Sequence, residues 1–435
     1  MRIVIASLLL LPACTGKPDD TFVDSADSGS GDTHDTQNTG SGCTLADPTG
    51  LTALQLQGGG DYAVLYTTDD SPLMGDGYAV VVSIKGTTGY GGVPVVAPYA
   101  ATGFGYLQVY VNVPDDNRGA ASRAAVADTT RFAAGLEPDA DGCYLADRVS
   151  VPVTASAPLL FGNSNGGNLA LGALADTSLD MPDVSGIVMF ETPISAQFID
   201  VELGAVEQVN PLYVPGSCAW DPATGLGCAY SSVPTLAWDP LYQDRTGGPI
   251  GAVYIDGDGD GVKGARDYPM FGVDASDSQI AFSPRLTAMI VDQGLSGPPM
   301  LSATDADAYW AVRDGSRLAA AALDNHPGVP LISVGTVDDH VAGVSDHSHV
   351  TGAAEIWHDL GSPFVRVNPA SVYMEQVGGV GPAWTDNPPN LDAFLNNPEV
   401  LMEPDEADTE VGAERYSAAA LIELATRTAN DDWSD

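Results

Sequence analysis

The feature that most constrains the fold is a strand-to-helix junction around Ser164. The four apolar residues that open it, PLLF, favour a buried strand, and the small residues at 168–175 favour a helix. The turn between them reads G-x-S-x-G, and its glycines permit a sharp turn that lifts the serine hydroxyl above the strand end. The junction predicts a nucleophilic Ser164, with the backbone N–H of Asn165 in an oxyanion hole. A close-packed turn without chemistry is the alternative.

The N-terminus indicates export. Residues 1–13 hold one arginine and a short apolar run that ends in Leu-Pro-Ala before Cys14, and the run is too short to span a membrane. This segment resembles the signal peptide and lipobox of bacterial lipoproteins, which implies that Cys14 is the lipid-modified first residue. An ordinary signal peptide with a chance cysteine is the alternative. Residues 14–42 are rich in Asp, Ser, Thr and Gly, and we expect them to form a disordered tether.

The expected location is therefore the bacterial cell envelope, as an outer-membrane lipoprotein, or the extracellular medium. The 435-residue chain carries 16 Lys and Arg against 58 Asp and Glu, a formal net charge of −42. That balance excludes charge-driven binding to nucleic acid or to anionic lipid, so the lipid anchor is the expected membrane contact.

Four cysteines follow Cys14, and an even number in an exported chain predicts two disulfides. Three pairings are open. We favour the local pair of Cys218 and Cys228, which leaves Cys43 and Cys143 to hold the start of the domain.

Further buried strands are predicted before and after the junction. Residues 78–84 and 184–190 are near-continuous apolar runs, as in parallel strands covered on both faces. The glycine-rich segment after the first run brings the backbone of Gly86 and Thr87 close to a ligand, as an oxyanion hole requires; a surface loop is the alternative. Residues 304–323 are expected to form one helix over the sheet. Alternating strands and helices favour a mostly parallel α/β sheet.

This ordered set of segments resembles the α/β-hydrolase superfamily. A later strand at 329–334 precedes a G-x-x-D turn that ends at Asp338, similar to the turn that supplies the triad acid in this superfamily. The DDxV sequence there is similar to prolyl-oligopeptidase-type relatives. The resemblance covers about residues 75–200 and 300–370. It implies a mostly parallel central sheet flanked by helices, with Ser164 as nucleophile and Asp338 as the orienting acid.

The same resemblance sets the expected domain organisation. Residues 43–435 form the α/β-hydrolase domain, with a large insertion at about 196–300 before the acid-bearing strand and a C-terminal extension at 371–435.

The base of the triad departs from the superfamily pattern. There the base follows the last strand, where this chain has Asn368 and no later histidine. The candidates are His340, beside the acid turn, and His347 and His349, on the loop expected before a helix. A transition-metal site built from these histidines is the less favoured alternative.

The insertion contains a DGDGDG run that begins at Asp256. Counted from there, oxygen ligands occupy positions 1, 3, 5 and 12 (Asp256, Asp258, Asp260 and Asp267), the carbonyl of Val262 is at position 7, and glycine is at position 6. The run resembles EF-hand and dockerin calcium loops, with Asp267 in place of the usual Glu. We expect a structural Ca2+ site; an acidic turn without a cation is the alternative.

Together these features predict an exported serine hydrolase that cleaves an ester or peptide bond of a small-molecule or peptide substrate through an acyl-enzyme. The missing late histidine motivates the alternative, a catalytically inactive member of the fold that acts as a calcium-stabilised binding protein.

Overall fold

The structure is a computed structural model that describes residues 42–47, 51–57, 62–67, 72, 74, 76–86, 105–114, 118–199, 202–205, 208–242, 251–276, 278–335, 346–377 and 410–433. Contacts divide the chain into Met1–Gly42 and Cys43–Asp435, and the following description concerns the second unit. The predicted signal peptide, Cys14 and the tether up to residue 41 lie outside the described residues.

The described strands and helices are named in chain order. The strands are β1 (Leu51–Gln55), β2 (Tyr62–Thr67), β3 (Ala79–Ile84), β4 (Tyr106–Val111), β5 (Leu159–Asn163), β6 (Gly186–Phe190), β7 (Gly204–Ala205), β8 (Gln208–Val209), β9 (Ala219–Asp221), β10 (Gly225–Gly227), β11 (Leu236–Asp239), β12 (Ala252–Ile255), β13 (Tyr268–Met270), β14 (Val273–Ser276), β15 (Gln279–Ala281), β16 (Leu331–Val334) and β17 (Val365–Val367). The helices are α1 (Ala120–Ala133), α2 (Leu145–Arg148), α3 (Asn165–Ala175), α4 (Ala196–Ile199), α5 (Pro284–Asp292), α6 (Ala303–Ala311), α7 (Gly315–Asn325), α8 (Ser348–Asp359), α9 (Ser371–Gln376) and α10 (Glu410–Asn430).

Eight strands form the central sheet in the order β1-β2-β4-β3-β5-β6-β16-β17. The pairings from β4 through β17 are parallel, and β2 joins β1 and β4 by antiparallel pairing. Parallel strands end on the same side of a sheet, so β3, β4, β5, β6, β16 and β17 share one edge, here named the carboxyl edge.

The parallel strands are buried on both faces, which explains their continuous apolar runs. On β3, Val80 and Val82 pack toward α1, α3, α7 and α8, whereas Ala79 and Val81 pack toward α9 and α10. Helices therefore cover both faces of a mostly parallel sheet, and a strand-to-helix turn carries Ser164 at its carboxyl edge. The fold is that of an α/β hydrolase.

The insertion has two parts. Residues 208–231, here named the docked segment, pack their Leu226 and Cys228 into the core that also contains α7 and α8. The remainder, from β11 to α5, buries its own cluster, which includes Val253, Met270 and Phe282. One part thus belongs to the main core, and the other has a core of its own.

Two disulfides are present, in the pairing that the sequence favours. Cys43 is bonded to Cys143 across 100 residues, and Cys218 is bonded to Cys228 across 10 residues within the docked segment. The long bond holds the first described residues against the segment that leads into β5.

The prediction of one helix at 304–323 is wrong, because the chain forms α6 and α7 with a break between them. Asp314 causes the break. Its carboxylate accepts hydrogen bonds from the N–H of Ser316 at 2.9 Å and of Ala196 at 2.8 Å, so it caps α7 and ties it to α4. Among the described residues, no helix is long and apolar enough to cross a membrane.

The buried carboxyl of Glu202 makes stability in this region depend on pH. It accepts hydrogen bonds from the hydroxyls of Tyr230 and Ser283, and burial raises its pKa. The pKa of Glu202 is thus higher in the folded protein than in the unfolded chain. The stability that the protonated carboxyl contributes is present in full below the pKa of the unfolded chain, and it is lost as the pH rises through the pKa of the folded protein.

We therefore expect Glu202→Gln, which cannot ionise, to be more stable than the wild type at pH 8. The gain in stability should shrink as the pH falls toward 4, because the Glu202 carboxyl of the wild type then becomes protonated in the folded and in the unfolded protein alike. Thermal unfolding of both proteins across this range measures the difference. A difference that does not change with pH would contradict the assignment.

Candidate active site

Ser164 follows β5 directly in a backbone conformation that few non-glycine residues adopt, with φ 49° and ψ −123°. Its N–H donates to the carbonyl of Phe190 at the end of β6, at 2.7 Å. Ser164 is the residue that precedes α3, yet its hydroxyl makes no capping hydrogen bond to that helix, although serine at this position commonly does. Left-handed backbone at a strand end accompanies functional sites because surrounding packing must hold it there. The Ser164 hydroxyl is thus not used to cap α3.

The turn around Ser164 is packed so closely that glycine is required at three positions. A Cβ atom on Gly166 would lie 2.2 Å from the carbonyl oxygen of Ile84, and one on Gly162 would lie 2.4 Å from the backbone nitrogen of Gly167. A Cβ on Gly86 would lie 2.9 Å from the Cβ of Ser164. The backbone that follows β3 therefore touches the turn that carries the serine.

This contact brings together two of the three predicted oxyanion residues. Asn165 opens α3 immediately after the serine, where helix N–H groups have no intrahelical partner and favour negative charge. Gly86 lies against Ser164, as described above. Thr87 lies outside the described residues.

The N-terminal part of α3 is held from two sides. The side chain of Asn168, which is buried, donates to the carbonyl of Pro193 at 3.0 Å and accepts from the N–H of Gly315 at 2.9 Å. It thereby links α3 to the chain after β6 and to the start of α7. A helix fixed in this way keeps its N-terminal dipole directed at the serine.

The predicted acid turn begins at the carboxyl edge. β16 pairs with β6 and ends at Val334, so Gly335 starts the turn two strands away from Ser164. Asp338 and His340 lie outside the described residues, and the structure therefore leaves both as predictions.

Asn368 occupies the end of β17, the last strand of the sheet. It is fully buried in a left-handed conformation with φ 57°. Its side-chain oxygen accepts from the N–H of Gly335 at 3.0 Å, and its own N–H donates to the carbonyl of Ser333 at 2.8 Å. An amide cannot accept a proton at neutral pH, so this residue serves to tie β17 to the start of the acid turn.

The structure brings His347 and His349 to the carboxyl edge, because they lie at the start of α8, the helix between the parallel strands β16 and β17. His347 precedes α8 in a left-handed conformation, with φ 44° and ψ 41°. The expectation that both lie on a loop is wrong for His349, which lies in the first turn of α8, fully buried, with its ring 6.1 Å from that of Phe198 in α4. The two imidazole rings are 6.3 Å apart.

The two other described histidines are placed differently. His326 ends α7 just before β16, and His358 lies in the last turn of α8 just before β17. Both are therefore at the opposite edge of the sheet from Ser164. His347 and His349 are the described histidines at the same edge as the serine.

Sequence reasoning missed two residues at this edge. Glu191 follows β6 with φ 44°, and its N–H donates to the carbonyl of Val334, so a carboxylate lies one strand from Ser164. Tyr213, from the docked segment, donates to Asp346 at 2.6 Å. Neither has a local signal, since one depends on a backbone conformation and the other on a contact across 133 residues.

The acidic loop connects β12 and β13 in the insertion. Oxygen atoms of Asp256, Asp258 and Asp260 lie within 4.8 Å of one another. Gly261, at position 6, has φ 73°, which is the left-handed conformation that requires glycine in a loop of this kind. The carboxylate of Asp267 is buried and accepts from the N–H of Gly257 at 2.9 Å, which closes the loop. The three grouped carboxylates are the kind of ligand that a hard divalent cation takes, whereas Asp267 is not part of the group and its oxygens accept from the N–H groups of Gly257 and Gly264.

No model of a protein family matches the sequence, and no curated protein matches it. Solved structures with a similar fold include an α/β-hydrolase enzyme from a Medee basin deep-sea metagenome library, with 14% identity over 34% of this chain and 59% of that chain, and a TM-score of 0.25. Another is carboxyl esterase 2 of the fungus Tuber melanosporum, with 12% identity over 87% of this chain and 90% of that chain, and a TM-score of 0.37. A fungal esterase of Rhizomucor miehei has 10% identity over 88% of this chain and 84% of that chain, and a TM-score of 0.40.

The chain thus spans little more than half the length of the metagenome hydrolase. A substrate for this protein has to be argued from the geometry of its own site.

The close packing at the turn predicts that Gly166→Ala destabilises the protein by about 1–3 kcal/mol, because the new methyl group meets backbone that cannot move aside. Gly227→Ala is the matched control, since a Cβ there meets nothing within 4 Å. Urea unfolding of the two variants measures the cost. Equal stability of the two variants would show that the turn is looser than described.

Proposed function

We propose that the protein is an exported serine hydrolase that cleaves an ester or peptide bond through an acyl-enzyme. The observation that carries the proposal is the conformation of Ser164: a left-handed serine between a buried strand and a helix, with its hydroxyl unused in capping and glycine backbone packed against it. Two histidines at the same edge supply candidates for the base.

In the proposed reaction, Ser164 Oγ bonds to the substrate carbonyl carbon while its proton passes to an imidazole nitrogen. The carbonyl oxygen gains the negative charge, which the N–H of Asn165 and the backbone at Gly86 and Thr87 stabilise. The imidazole then gives its proton to the leaving alcohol or amine as that bond breaks. Water repeats the sequence to release the acid. Asp338 would orient the imidazole, and His347, His349 and His340 are the candidate bases.

The two disulfides support an oxidising compartment and therefore export. Lipidation of Cys14 and retention in the cell envelope, with the lipid as the only membrane contact, remain part of the proposal.

Labelling with a fluorophosphonate probe tests the serine. We expect the purified protein to be labelled and to hydrolyse short-chain acyl esters, and Ser164→Ala to lose labelling and to lower kcat at least about 10⁴-fold, since the nucleophile cannot be replaced. Ser178→Ala is the control, because this serine is exposed and bonds only to Asp176 at the end of α3. Ester and peptide substrates assayed side by side separate the two substrate classes.

Absence of labelling in correctly folded, calcium-loaded protein would overturn the hydrolase proposal. It would favour the alternative, in which the fold is kept as a calcium-stabilised binding protein. The position of Asn368, which cannot act as the base at the end of the last strand, is the observation behind that alternative.

We also propose that the loop at Asp256, Asp258, Asp260, Val262 and Asp267 binds a structural Ca2+. The grouped carboxylates repel one another without a cation, and the loop joins two strands of the insertion's own core. The two strands that flank the loop belong to the insertion's own core and not to the main core, so the ion would stabilise the β12–β13 hairpin and would take no part in the chemistry.

Calcium is therefore expected to raise the unfolding temperature relative to protein in EGTA. At a calcium concentration 100 times the Kd, the gain in stability is about 2.7 kcal/mol. Asp258→Asn should reduce the gain, whereas Asp324→Asn, an exposed aspartate on α7, should leave it unchanged. Equal melting temperatures with calcium and with EGTA would refute the site.

A further inference from the structure

The docked segment is fixed to the helices around the candidate site by several independent contacts. The indole N–H of Trp220 donates to the carbonyl of Ser316 at 2.8 Å, and the N–H of Cys228 donates to the side chain of Gln197 in α4 at 2.8 Å. Leu226 fills the space above Gly352 of α8, where a Cβ would lie 2.5 Å from its side chain. The Cys218–Cys228 bond closes this segment on itself. The docked segment is therefore packed firmly against α4, α7 and α8.

One hydroxyl of this segment reaches both neighbours of His347. The Tyr213 hydroxyl donates to Asp346 Oδ2 at 2.6 Å and lies 3.0 Å from Ser348 Oγ. A phenol has one proton, which goes to the carboxylate, so the serine hydroxyl donates to the tyrosine oxygen. The N–H of Gly216 donates to the same Asp346 oxygen at 2.7 Å. The residues before and after His347 are both fixed by Tyr213.

The backbone of His347 needs such support. Left-handed conformations of residues other than glycine are strained and persist where the surroundings hold them. On the helix side, the carbonyl of His347 accepts from the N–H groups of Val350 at 2.9 Å and Thr351 at 3.0 Å. On the other side, the described hydrogen bonds that fix Asp346 come from Tyr213 and Gly216. Removing the Tyr213 hydroxyl would therefore take away one of the two hydrogen bonds that fix Asp346 and the contact with Ser348, while the bonds from Val350 and Thr351 to the His347 carbonyl stay.

We infer that Tyr213 is a positioning residue that holds His347 in place as the base for Ser164. The inference rests on the proposed function, and it takes as the base His347, whose two neighbours in the chain Tyr213 contacts. The hydrogen-bond partners of the Tyr213 hydroxyl among the described residues are Cys218, Asp346 and Ser348. Its effect passes through the backbone on either side of His347.

Tyr213→Phe tests the inference, because it removes the hydroxyl and keeps the ring. The matched control is Tyr230→Phe. Tyr230 forms an antiparallel bridge with Tyr213 and also donates to a carboxylate, that of Glu202 at 2.8 Å, but it faces the insertion and not His347. We expect Tyr213→Phe to lower kcat for ester hydrolysis about 10- to 100-fold with KM within twofold, which is the cost of a misplaced catalytic group. Tyr230→Phe should keep the wild-type kcat even where its melting temperature falls as far.

A second measurement does not depend on catalysis. In protein with ¹³C-labelled histidine, with the His347 resonance assigned through His347→Gln, the imidazole signal should shift in Tyr213→Phe and stay in place in Tyr230→Phe. Wild-type kcat and an unmoved His347 signal in folded Tyr213→Phe would overturn the inference. Failure of the proposed function appears separately, as a wild-type protein that the fluorophosphonate does not label. If the His347 signal still shifts in Tyr213→Phe in that case, Tyr213 does position His347, but His347 is not a catalytic base.

Discussion

The close approach of three backbone segments around Ser164 is the constraint on which the carboxyl edge depends. Gly86 after β3, Gly162 on β5 and Gly166 on α3 meet where a single added carbon would overlap backbone atoms. That contact holds Ser164 left-handed, at a cost of about 1–3 kcal/mol that burial of β5 between β3 and β6 offsets. It also aims the N-terminus of α3 at the serine oxygen. The same packing thus places the candidate nucleophile and two of the candidate oxyanion residues, Asn165 and Gly86.

The residue at the end of the last strand, β17, is not the base that the superfamily resemblance implies at this position. Asn368 links β17 to Gly335, so this position holds the start of the acid turn in place of a base. If the base is His347, the proposed acid Asp338 and the base both lie between β16 and α8. In the superfamily pattern, the acid and the base instead follow two different strands. Such an arrangement makes the shape of that connection decisive. Its described supports are Asn368 at one end and Tyr213 with Gly216 at the other.

Sequence patterns predicted the parts of the fold that local chemistry determines. The apolar runs of β3, β5 and β6, the turn at Ser164 and the Cys218–Cys228 pair all depend on neighbouring residues or on short spacings. The Cys43–Cys143 pair, 100 residues apart, was predicted only because the local pair left no other partners. The break at Asp314 was missed although it has a local signal, an aspartate that caps α7 by accepting from the N–H of Ser316. The bond from Ala196 to the same carboxylate is a tertiary contact. The first two strands, β1 and β2, were not predicted; β1 pairs with β2, and the pairing of β2 with β4 is a tertiary contact. Tyr213 and Glu191 were missed for the same reason.

The two parts of the insertion would affect activity in different ways, because one contains the acidic loop and the other contacts the histidine segment. The acidic loop belongs to the part with its own core, which includes Val253 and Tyr268, so loss of a cation there would first loosen that body. The docked segment instead shares the main core through Leu226 and reaches the histidine segment through Tyr213. Because the two cores are distinct, the proposed calcium binding and the proposed placement of His347 by Tyr213 should be separable by mutation. A hydrolase with this architecture would keep an ordered serine turn when either is lost, since the packing of Gly86 and Gly166 around Ser164 involves neither part of the insertion.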